Sequence, residues 1–80
     1  MNVRIKDEPT YVVELTKREA QVIAALCYTG INGPVLGPRA VTGELVEGLR
    51  RAGLNLDLAT NLVQVTGILT LEDPPGAIDL

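Results

Sequence analysis

With no histidine, tryptophan or phenylalanine and a single cysteine, this 80-residue chain can form neither an internal disulfide nor a zinc site. Seven basic against ten acidic side chains leave a net charge of −3, mild and unsuited to a phosphate backbone. Hydrophobic residues make up 46% of what is expected to be one small domain, but Val, Leu, Ile and Ala supply nearly all of them, so the core should be thin and self-association is the staple left.

Val3 and Ile5 alternate with Asn2, Arg4 and Lys6, and Tyr11, Val13 and Leu15 with Val12 and Glu14. Two strands are predicted, joined by the breaker cluster Asp7-Glu8-Pro9-Thr10 and paired antiparallel. The first residues lack the hydrophobic region of a secretory signal and no apolar stretch is long enough to span a bilayer, so a cytoplasmic location with no membrane partner is expected.

Thr16-Lys17-Arg18-Glu19 reads as a capping box. It predicts a helix from about Lys17 to Thr29, apolar on nearly every side, with Lys17, Arg18 and Gln21 as its wet edge and covers on more than one face. Gly30, before Ile31, suits a left-handed helix stop. The next segment, 31–38, holds two Gly-Pro steps and is expected to be a stiff loop.

Pro38 suits the first turn of a second helix. Its expected inward stripe is Val41, Leu45, Leu49 and Ala52, with Glu44, Glu47, Arg50 and Arg51 on the other side and Glu47 paired to Arg51. Gly53 before Leu54 gives a second left-handed stop. After an unassigned stretch, 55–61, the alternation Val63, Val65, Gly67, Leu69, Leu71 predicts a third strand, halted by Glu72-Asp73-Pro74-Pro75-Gly76. Residues 73–80 form a Pro-initiated apolar tail.

The expected fold is one α+β domain over 1–80, ordered strand-strand-helix-helix-strand. A small antiparallel sheet of about three strands would carry two helices on one face. That face would bury Val3, Ile5, Tyr11, Val13, Leu15, Val63, Val65, Leu69 and Leu71 against Ile23, Leu26, Leu45 and Leu49.

From the run Tyr11-Val12-Val13-Glu14-Leu15-Thr16-Lys17-Arg18-Glu19-Ala20, then Arg39, Glu44-Leu45 and Leu49-Arg50-Arg51-Ala52-Gly53-Leu54, the chain resembles small uncharacterised accessory proteins of actinobacterial bacteriophages. These show a strand ending in Leu-Thr, a capped helix with a Glu-Ala step, a Gly-rich loop, a basic residue and a helix ending in Ala-Gly plus an aliphatic. The resemblance covers about half the chain and rests mostly on fold signals. The apolar loop Pro34 to Leu36 departs from the polar loop of that pattern. The resemblance implies a virus-encoded accessory protein in the cytoplasm of a bacterial host, and carries over no catalytic residue.

Catalysis needs a tunable group, and none is evident. Cys27 lies in the last turn of an apolar helix, far from the amino end that would activate it, and reads as a packed thiol. Glu44 and Glu47 stand three apart, spacing routine on a solvated face, so no metal and no cofactor is expected. Gly37 and Arg39, with Pro38 between them, put backbone amides and a guanidinium at a helix amino terminus and are the candidate site for a small anionic ligand such as a nucleotide messenger. The glycine spacing matches neither Walker A nor the dinucleotide pattern. A strand followed by two helices also suggests a ribbon-helix-helix DNA binder using Arg4, Lys6 and Arg39, although outward-facing Glu14 would repel phosphates.

Gly43 and Gly48 interrupt the second helix. Gly48 packs either on Ala24-Ala25 of the first helix or on a second subunit. With Val35, Leu36, Ile78 and Leu80 it completes the candidate interface set. The leading expectation is a non-enzymatic, homo-oligomeric interaction module, a homodimer or higher, that binds a host protein. The anionic-ligand binder and the DNA binder stand as alternatives.

Overall fold

The computed structural model describes residues 1–7 and 10–75. The fold is α+β. Strands β1 (Asn2–Asp7) and β2 (Thr10–Glu14) pair antiparallel, with Val3 opposite Val13 and Ile5 opposite Tyr11. A register shift falls between Ile5 and Asp7, beside the connection. Helix α1 (Lys17–Thr29) begins at the anticipated capping box: the Thr16 hydroxyl accepts from the Glu19 amide at 3.2 Å, and the Glu19 carboxylate accepts from the Thr16 amide at 2.9 Å. Strand β3 (Ile31–Asn32), helices α2 (Arg39–Arg51) and α3 (Leu56–Leu62), and strand β4 (Leu69–Thr70) follow.

The expected three-stranded sheet does not form. Two separate two-stranded sheets replace it, and the second, β3 with β4, is parallel. The alternating run from Val63 contributes only Leu69–Thr70 as strand. Its ladder is short, with the Leu69 amide donating to Gly30 O at 2.7 Å and the Leu71 amide to Asn32 O at 2.8 Å. The chain reaches this parallel pairing because α3 occupies the stretch left unassigned. The Asn55 side chain caps α3 by accepting from the Leu58 amide at 3.0 Å, and Asp57 sits in its first turn.

Gly30 is not left-handed. Its φ is −106°, ordinary helical backbone, and its requirement is space: a Cβ there would lie 2.7 Å from Val65 Cγ1 and 2.9 Å from Leu26 O. Gly53, at φ +106°, does make the expected Schellman stop, with its amide donating to Arg50 O and that of Leu54 to Leu49 O, each at 3.0 Å. Gly33, at φ +144°, passes so close to Leu71, the residue after β4, that a Cβ would collide with its carbonyl.

The core lies where α1 runs between α2 and α3. It consists of Ala20, Ala24, Ala25, Val46 and Ala59, with Gln21 buried beside them rather than marking a wet edge. Among the described residues no large side chain is fully buried. Small residues let three helices approach closely, but alanines bury little apolar area and so contribute little hydrophobic stabilisation. The chain exposes 6267 Å², where a folded monomer of this mass exposes about 4,700 Å². Its radius of gyration is 13.9 Å against about 12 Å for a compact domain.

Candidate functional site

The β1–β2 hairpin carries the first candidate surface. Residues opposite one another in an antiparallel pair share a face, so Val3, Ile5, Tyr11 and Val13 form one apolar patch. All four were expected under the helices; instead each is between 51% and 65% exposed, because the hairpin packs substantially on no helix. Its recorded tether to α1 is the Met1 ammonium, which donates to the Glu19 carboxylate at 2.7 Å. That ammonium, and after it the Thr16 amide, holds the Glu19 carboxyl below its ordinary value. On the polar face the Arg4 guanidinium donates to Glu14 across the strands. Of the positions considered for DNA contact, Arg4 is therefore already neutralised by Glu14.

Helix α2 carries the second surface. Most of the stripe expected to face inward is rotated outward: Val41 is 66% exposed, Leu45 43%, and Ala52 is exposed, whereas Leu49 stays half-buried and Val46 is the residue α2 buries. The physical reason is the alanine surface of α1, which admits a close neighbour through Val46, flanked by half-buried Thr42 and Leu49. Glu47 accepts from Arg50 at 2.6 and 3.0 Å and from Arg51 at 3.2 Å, as the four-residue spacing predicts for Arg51. The Arg50 guanidinium holds the Glu47 carboxyl down at about 2. With Glu47 so committed, Glu44 and Glu47 do not converge on a cation.

Gly43 and Gly48 each cost a helix interior about 1 kcal/mol relative to alanine. Among the described residues, nothing beyond the adjoining backbone of α2 lies within 4 Å of a Cβ built on either one. The expected alternative of Gly48 packing on Ala24-Ala25 is thereby excluded.

Between α1, β3 and α2 an open groove of about 910 Å³ is lined by Cys27, Tyr28, Val35, Arg39 and Val46 among others. Burial pushes the Cys27 thiol up, away from reactivity. Arg39 is half-buried at the groove and, among the described residues, has no acidic partner within salt-bridge distance. The amide cradle expected around it is largely spent. The Gly37 amide donates to Pro34 O at 3.2 Å, and those of Ala40 and Val41 donate to Gly37 O and Pro38 O. The loop leaves Val35 73% and Leu36 96% exposed. Ile78 and Leu80 lie outside the described residues.

Among the described residues no helix is long and apolar enough to cross a membrane. Comparison with known proteins adds no relative: no protein-family model, curated protein or solved structure matches this chain.

Proposed function

We propose that this chain is a non-enzymatic, virus-encoded interaction module that assembles with copies of itself and binds a host protein. The carrying observation is the apolar surface left outside: Val3, Ile5, Tyr11, Val13, Val35, Leu36, Val41 and Leu45 are each at least 43% exposed. The hairpin face, the outward stripe of α2 and the Val35-Leu36 tip supply it. An isolated two-stranded hairpin is marginal in water, so the four apolar side chains on one of its faces need a cover. The host-protein and viral parts of this reading rest on the resemblance to small phage-encoded proteins.

Assembly couples stability to concentration. The melting temperature should rise across a hundredfold increase in protein concentration, and Leu36→Asp should blunt the rise by weakening assembly. A melting temperature independent of concentration would sink the reading.

Arg39 supports a second reading, capture of a small anionic ligand such as a nucleotide messenger, because its guanidinium borders the groove without an acidic partner among the described residues. A nucleotide-dependent rise in melting temperature that Arg39→Ala abolishes is the expected result. No rise with any nucleotide removes this reading.

A further inference from the structure

The outward face of α2 has the pattern of a seam that pairs with itself. At 3.6 residues per turn, Val41, Leu45, Gly48 and Ala52 fall within about 60° of one another and roughly 130° from the buried Val46. Gly48 and Ala52 form a notch, and a Cβ on Gly48 would have open space around it. Val41 and Leu45 are large, apolar and exposed beside that notch. Glu44 and Arg51 flank the stripe on the same side, two turns apart, with Gly48 near their midpoint.

We propose that a second copy of this chain covers this stripe, packing α2 antiparallel on α2 about a two-fold axis beside Gly48. Charge complementarity selects a second copy over another occupant. A two-fold axis at the midpoint of Glu44 and Arg51 sets each Glu44 against the partner's Arg51, so one operation pairs the flanking charges of both copies on one side of the seam. Within the chain Arg51 donates its Nε to Glu47 at 3.2 Å, and its other nitrogens make no bond among the described residues. The same operation lets each Leu45 enter the notch at Gly48 and Ala52. The inference rests on the self-assembly proposed above and names one of the faces that take part in it.

The test uses the full chain with Cys27→Ser, so that one introduced thiol is the sole cysteine. Gly48→Cys should cross-link to its own copy under mild oxidation, giving a covalent dimer by intact mass at least tenfold faster than Gly43→Cys, which is equally open but lies on a different side of α2. Sedimentation equilibrium provides an independent reading. Glu44→Arg alone or Arg51→Glu alone should raise the dissociation constant at least fivefold, and the two together should restore it. Equal cross-linking at both positions, or a dissociation constant indifferent to the single reversals, overturns the seam. If the protein still assembles in that case, the proposed function stands and another patch makes the contact. A monomer that never cross-links leaves the stripe to a partner of different sequence, and overturns the two-fold together with the self-assembly.

Discussion

Helices α1 and α2 are both 13 residues long, yet they spend their side chains in opposite ways. The first, held between two other helices, buries Ala20, Gln21, Ala24 and Ala25; the second buries Val46 and leaves Val41 and Leu45 outside. The helix with the small side chains makes the core of the single chain. The helix with the clearer amphipathic stripe points that stripe away from it. An apolar stripe records where a helix meets a partner, and in so thin a domain that partner need not belong to the same chain.

Helix α1 should not tolerate added bulk. Ala24 is wholly buried, so Ala24→Leu should destabilise by about 1–3 kcal/mol in urea denaturation. No loss would mean that α1 is not the packed centre.

Glycines sharpen the contrast at a smaller scale. Gly30→Ala should destabilise, because its Cβ would meet Val65 at 2.7 Å, whereas Gly43→Ala should stabilise by up to about 1 kcal/mol because nothing lies near it. Equal effects at the two positions, read from denaturation midpoints, would contradict the described packing.

Smaller still is the acid sensitivity of α2. Glu47's folded carboxyl titrates at about 2 against an ordinary 4.5, so its contribution is present above 4.5 and is lost as pH falls toward 2. The loss should be modest and salt-dependent, since the carboxylate is exposed and screened. Glu47→Gln should flatten that part of the stability profile, and an unchanged slope would count against the pairing. Cys27 gives the smallest effect: its raised thiol should alkylate slowly at neutral pH, and rapid reaction would contradict its burial.

Local punctuation made much of this fold legible. The capping box at Thr16 and the left-handed Gly53 each act through neighbouring backbone groups, and each produced the expected element. What lay beyond neighbouring residues was not legible. Alternation from Val63 matched a strand, but pairing depends on which backbone edge comes within reach, and α3 delivers only its far end to β3. The Asn55 cap and Asp57 in the first turn were the signals that could have found α3. The inward face of α2 was misread because periodicity fixes which residues share a side and is silent on which neighbour that side meets. Of the candidate surface, Gly48 and the Val35-Leu36 tip were visible as oddities, whereas the bare hairpin face was not, because its residues have the pattern of an ordinary sheet interior.

Native mass spectrometry on protein gently purified from bacterial cytoplasm tests most directly whether the missing cover is another copy of this chain. The expected result is a discrete assembly at a whole multiple, two or higher, of the 8.5 kDa chain. A lone 8.5 kDa species at every concentration, folded and without partner, would contradict it.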